Sequence, residues 1–167
     1  MSLAIVYGSS MGNTENAASL ISEKLGIEAD VLDVANTSAD IINTYDKLIC
    51  GTSTWNNGDM QDDWDSFDFG SLKLSGKTVA VFGVGDSQGY SDEFCNGMAK
   101  LFNELKNAGA NLVGEISTDG YSFDESEALN NNGNFVGLAL DYDNEEEMNE
   151  QRVDNWIKII KPLFFLD

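Results

Sequence analysis

The sequence predicts an α/β domain in which a parallel β-sheet carries helices on both faces, in three layers. Two observations lead there. Short β-rich runs alternate with helical runs along the whole chain, which calls for right-handed crossovers between parallel strands. The third of these runs, Lys47-Leu48-Ile49-Cys50-Gly51, is almost unbroken in apolar character, as a strand buried on both sides must be. A chain of 167 residues fits one domain over residues 1–167 and suffices to cover a sheet on both faces.

The first strand runs from Leu3 to Tyr7 and ends at Gly8. A helix over about 13–25 places Ala17, Ala18, Ile21 and Leu25 on one face. The second strand spans 28–34, and a short, weakly patterned helix spans 39–43. After the third strand, 47–51, the polar stretch from Thr52 to Phe69 reads as a loop holding at most a short helix near 61–64. The fourth strand is 78–83. A helix follows with Phe94, Met98, Leu101, Phe102 and Leu105 in register. Residues 111–116 begin a fifth strand, which 135–139 continue. The last helix spans 145–161, with Met148, Val153, Trp156, Ile157 and Ile160 on one face, and Pro162 is expected to close it.

Composition narrows the function. Nine basic and twenty-nine acidic side chains give a formal charge of -20, which repels nucleic-acid backbones and anionic lipid and suits docking onto a basic partner. The chain has no histidine, so histidine-based triads and most zinc and haem sites are excluded. Cys50 and Cys95 are the only cysteines, too few for a disulfide scaffold, and Cys50 reads as a small core residue. The first residues lack a basic segment and run straight into a strand. No signal peptide is expected, no apolar run spans a bilayer, and the expected location is cytoplasmic.

Ligands of open parallel sheets lie beyond the carboxyl ends of the strands, where the strand order reverses. Three unusual loops leave such ends. In the first, Gly8-Ser9-Ser10-Met11-Gly12-Asn13-Thr14, glycines permit tight turns, hydroxyls offer donors, and a helix start adds free backbone N–H groups. An ordinary helix cap accounts for one or two of these residues but not for all seven. No lysine follows the second glycine, so this is not a Walker A loop. The second loop, Thr52-Ser53-Thr54-Trp55-Asn56-Asn57-Gly58-Asp59, sets an aromatic among small polar residues. The third, Gly83-Val84-Gly85-Asp86-Ser87-Gln88-Gly89-Tyr90, sets another. Either aromatic alone is more often structural. Joined to an anion cradle, the pair forms a sandwich for a planar, phosphorylated cofactor. None of the three loops carries a basic residue, so neutral donors would hold the phosphate.

On these residues the chain resembles the flavodoxin family. The first loop is similar to that family's phosphate loop and Ser53-Thr54-Trp55-Asn56 to its inner ring loop. Gly85-Asp86 through Gly89-Tyr90-Ser91-Asp92 is similar to its outer ring loop. Asp119-Gly120-Tyr121 to Asp141 resembles the insertion that splits the fifth strand in the long-chain subgroup. The resemblance implies strand order 2-1-3-4-5, FMN as cofactor, and ferredoxin–NADP reductase or ferredoxin-using systems as partners. It implies that Ser9, Ser10, Met11, Gly12, Asn13 and Thr14 cradle the phosphate, and that Thr54 and Asp143 reach the ribityl chain. Trp55 and Tyr90 would flank the rings. Asp86 and nearby backbone would meet the pyrimidine edge, with Gly85 and Asp92 in the same loop. The Asn56 carbonyl, within Asn56-Asn57-Gly58, would turn toward flavin N5 on one-electron reduction. Two positions depart from the pattern. Met11 stands where the family commonly has Thr, and losing a charge-assisted hydrogen bond there would cost ~1.5–3 kcal/mol. Ser53 stands where many long-chain members have Pro.

A monomeric one-electron carrier is the reading this supports, with flavin supplying the chemistry and the protein supplying orientation and electrostatics. Asp59, Asp62, Asp63, Asp65 and Asp68 lie beside the ring loop with no basic residue among them. Such surroundings oppose the fully reduced, anionic flavin and lower the potential of the last reduction. An FMN-dependent quinone or nitro reductase is the alternative, and it would need an open substrate cleft over the ring. A phospho-receiver domain would need an acidic pair after the first strand, where hydroxyls stand instead.

Overall fold

A computed structural model describes residues 2–55 and 58–165. Strands β1 (Leu3–Gly8), β2 (Asp30–Asp33), β3 (Lys47–Trp55), β5 (Thr78–Val84) and β6 (Asn111–Val113) form a parallel sheet in the order β2-β1-β3-β5-β6. A two-residue strand β4 (Asp59–Met60) folds back antiparallel on β3, and β7 (Leu138–Leu140) lies parallel to β5. Because β6 pairs with Thr78–Ala80 and β7 with Phe82–Val84, these two are halves of one fifth strand. The order 2-1-3-4-5 implied by the resemblance is thus the one observed.

Alternation along β1 divides the core. Leu3, Ile5 and Tyr7 face α1 (Asn13–Leu25) and α5 (Glu146–Phe164), while Ala4 and Val6 face the opposite layer. That layer holds α2 (Ala39–Ile42), α3 (Asp62–Asp65) and α4 (Asn96–Asn107). Ile5, Ile49, Val81 and Phe82 are fully buried in the central strands. Burying each such side chain contributes roughly 1.5–3 kcal/mol. Cys50 is buried as a core residue. Among the described residues no helix is long and apolar enough to cross a membrane.

Several boundaries differ from the sequence reading. The third strand does not stop at Gly51. Its ladder with β5 runs on to Ser53, and Trp55 then pairs with Asp59. The polar residues Thr52, Ser53 and Thr54 disguise a strand whose last residues, 53–55, face a cleft and not the core. The second strand is shorter than expected, since it is an edge strand paired only with β1. The short helix near 61–64 is α3, with Gln61 as its N-cap. Phe94 precedes α4 and packs instead against Phe123 and Phe135 of the 114–137 excursion, with ring centroids 5.5 and 5.8 Å away.

The fifth strand divides at different points from those expected. Ile116 and Phe135 form only an isolated antiparallel bridge at the neck of the excursion. Pro162 does not end α5, which continues to Phe164. A proline this close to the C-terminus removes one backbone bond, and Phe164, fully buried, holds the last turn against the core.

Candidate functional site

The loops leaving β1, β3, β5 and β7 meet in a cleft of about 370 Å³. Ser9, Ser10, Met11, Asn13 and Thr14 line it from the first loop, and Ser53, Thr54 and Trp55 from the end of β3. Val84, Gly85, Asp86 and Tyr90 close the far side, with Asp143 after β7. Gly12, in the left-handed region at φ 92°, ends the first loop and starts α1, and no side chain caps that helix. Its first-turn N–H groups therefore lack a capping side chain, and the positive end of the helix dipole points toward the cleft.

The direction of the hydroxyls is set by the surrounding protein. Ser9 Oγ accepts from Gly12 N at 3.0 Å, Ser10 Oγ from Gln61 Nε2 at 3.0 Å, and Thr54 Oγ1 from Gly97 N at 3.0 Å. Each is engaged as an acceptor, so the hydrogen it carries is left to donate. Thr14 Oγ1 and Ser53 Oγ are buried and have no partner among the described residues. Buried polar groups are rarely left unpaired, because each costs about 1–3 kcal/mol. Five hydroxyls around one cleft thus have a donor to offer, and among the described residues no basic side chain lines it. The arrangement suits an anion held by neutral donors. Trp55 and Tyr90, 37% and 55% exposed, add two aromatic surfaces at the rim.

Close approach of backbone shapes the rest. A Cβ on Gly85 would stand 3.0 Å from Cys95 N and Sγ. One on Gly97 would stand 2.5 Å from Ser53 O, so only glycine lets the start of α4 reach Thr54. Behind the far wall, the fully buried carboxylate of Asp141 accepts from the backbone and hydroxyl of Ser87 and from the backbone N–H groups of Asp143 and Asn144. It ties the loop after β5 to the loop after β7.

Asp86 is engaged within its own turn. Burial pushes its carboxyl pKa up, but hydrogen bonds from Asn144, Gly89 and Gln88 outweigh this and hold it below the ordinary value. Its carboxylate is a turn-former more than a free acceptor. Asp143 is shifted upward by burial, then by the nearby carboxylates of Asp86 and Asp141. Cys95 lies behind Gly85, fully buried, with burial pushing its thiol far up and away from a reactive thiolate. Among the described residues no cluster of His, Cys, Asp or Glu is arranged to hold a metal ion. The cleft can bind, orient and shield a ligand.

Of the residues singled out from the sequence, Gly12 and Gly58 shape turns without lining the cleft. Gly58, at φ 94°, fits against Asn96 and donates to Trp55 O at 3.0 Å. Asp92 lines a different depression, with Glu93, Asn96 and Phe123. Asn56 and Asn57 lie outside the described residues. Sequence reasoning missed Val84, Asp141 and Gln61. An acid directly after the last strand run, and a glutamine where Ser, Thr, Asp or Asn usually caps a helix, were the available signals.

A family model described as flavodoxin matches residues 5–156. The flavodoxin of Synechocystis sp. is 42% identical over 96% of this chain and 96% of its own. Flavodoxin 1 of Escherichia coli strain K12 is 41% identical over 98% of this chain and 94% of its own. The structure of Fusobacterium nucleatum flavodoxin bound to flavin mononucleotide superposes with a TM-score of 0.91, at 28% identity and 98% coverage of both chains.

Proposed function

The chain belongs to the flavodoxin family, whose members are FMN-bound low-potential electron carriers and not enzymes, and on that footing we infer how its own residues serve the cofactor and its partners. The cofactor is FMN. When bound, it takes up and releases electrons one at a time. Everything else is the work of the chain.

Hydroxyls of Ser9, Ser10 and Thr14, together with the first N–H groups of α1, hold the phosphate. Thr54 and Asp143 reach the ribityl chain. Trp55 and Tyr90 cover the ring system, shielding it from water and from bulky substrates, and Gly85 lets the far wall approach its edge. The observation that carries this reading is the set of outward-donating hydroxyls in a cleft without a cation, two of them buried and unpartnered. A neutral-donor cradle of this kind fits a phosphate monoester.

The partners are redox proteins with basic docking faces, in the manner of ferredoxin–NADP reductase, and the carrier works as a monomer. Asp62, Asp65 and Asp68 are exposed beside the ring loop, whereas Asp59 is paired with Lys100 at 2.7 Å and Asp63 accepts from Gln61. Among these described acids only Asp59 has its charge offset by a cation, so steering falls to Asp62, Asp63, Asp65 and Asp68, within a molecule of formal charge -20.

The purified protein should bind one FMN per chain, releasable by acid. Riboflavin, which lacks the phosphate, should bind at least tenfold more weakly, about the value of one charge-assisted hydrogen bond. Equal affinity for the two would remove the cradle assignment.

A further inference from the structure

Gln61 lies outside the cleft, is 2% exposed and contributes nothing to its lining. Its carboxamide nevertheless has only one workable orientation. Oε1 accepts from the backbone N–H of Asp63 at 3.0 Å, a group that can only donate. Nε2 donates to the carboxylate of Asp63 at 2.8 Å, a group that can only accept. Turning the amide over would set oxygen against carboxylate and NH2 against N–H. The second hydrogen on Nε2 is thereby committed to Ser10 Oγ at 3.0 Å.

Ser10 must then accept from behind, and its own hydrogen is turned away from the wall toward the cleft that Ser10 lines. The carboxamide is itself held in place. Gln61 N donates to Thr52 Oγ1 at 3.0 Å, and Trp64 Nε1 donates to Gly51 O at 2.7 Å, fixing α3 to the end of β3. The missing side chain of Gly8 leaves the space the amide occupies, since a Cβ there would stand 2.4 Å from Gln61 Oε1.

We propose that Gln61 is a positioning residue which, oriented by Asp63, fixes the Ser10 hydroxyl as a donor to the cofactor phosphate and so contributes to phosphate selectivity. The proposal rests on the cradle reading above. It also makes the end of β3, which carries the ring loop, and the phosphate loop parts of one hydrogen-bonded chain.

The test is titration of the apoprotein with FMN and with riboflavin, taking the ratio of the two affinities as the phosphate-specific quantity. Gln61→Met keeps the bulk and removes the donor. It should lower the FMN-to-riboflavin ratio by about tenfold while leaving riboflavin affinity near wild type. Ser10→Ala should lower the ratio by a similar factor, and the double variant by no more than either single one, since both remove the same interaction. Should the methionine variant not fold, Asp63→Ala removes the carboxylate that helps to orient the amide while the backbone N–H remains, and should lower the ratio in the same direction by a smaller factor. Equal weakening of both ligands would show that Gln61 is only structural, and additive losses with Ser10→Ala would show that it does not act through Ser10. Either result overturns the proposal. A wild-type protein that fails to distinguish FMN from riboflavin would instead remove the cradle itself.

Discussion

At Asp86 three donors converge on one carboxylate: Gly89 N at 2.7 Å, Gln88 N at 3.2 Å and Asn144 Nδ2 at 2.7 Å. Burial opposes ionisation, the hydrogen bonds outweigh it, and the folded-state pKa lies below the unfolded one. A depressed acid contributes stability that is present above its unfolded pKa and is lost as pH falls through the folded value. Asp86→Asn should therefore lower apoprotein stability near neutral pH, and the gap to wild type should close as pH falls below the ordinary carboxylate range. Denaturant melts across pH measure this, and a gap independent of pH into the acid range would contradict it. The same residue marks the limit of reading sites from sequence. Its place in a ring loop was legible, but a partner 58 positions away in Asn144 was not. The hydroxyls of the first loop were legible because a helix start and two glycines surround them. The direction of the Ser10 and Thr54 hydroxyls was not, since it depends on donors far along the chain, Gln61 and Gly97.

The excursion over residues 114–137 divides the fifth strand and is fastened to α5 by Trp156, whose Nε1 donates to Gly114 O at 2.8 Å, and by Arg152. Arg152, 9% exposed, stacks 3.9 Å from the Tyr121 ring centroid and donates from Nη2 to Gly120 O at 2.9 Å and Glu145 Oε1 at 3.1 Å. Tyr121 in turn donates to Ala139 O at 2.7 Å. Arg152→Met should destabilise the fold by about 3 kcal/mol, because it leaves a partly buried carboxylate and a carbonyl without their donor. It should also speed proteolysis within the excursion. Urea melts and limited proteolysis measure the two effects, and a loss below about 0.5 kcal/mol, the usual scale of a surface substitution, would contradict the assigned role. At this scale the sequence was legible wherever periodicity reported burial, as in α1 and the central strands. It misled where a strand end faces the cleft, as at 53–55, and where buried Phe164 carries α5 past Pro162.

Strand–helix alternation indicated a parallel sheet, and the family resemblance implied its strand order; the switch between β1 and β3 places the cleft where parallel sheets hold their ligands. Charge acts at this scale as well. Two acids, Asp86 and Asp143, line a cleft that has no cation among the described residues, in a protein of formal charge -20, and this opposes negative charge on the ring of the fully reduced cofactor. Taking electrons singly, with the second at low potential, is the behaviour such a site supports. Stepwise anaerobic reduction of the FMN-loaded protein, followed by visible absorption, tests it most directly. A one-electron-reduced form with long-wavelength absorption should accumulate near half reduction, and the chain alone should sustain no quinone reduction by NAD(P)H. Direct passage from oxidised to fully reduced cofactor, with steady quinone turnover by this chain alone, would contradict the account.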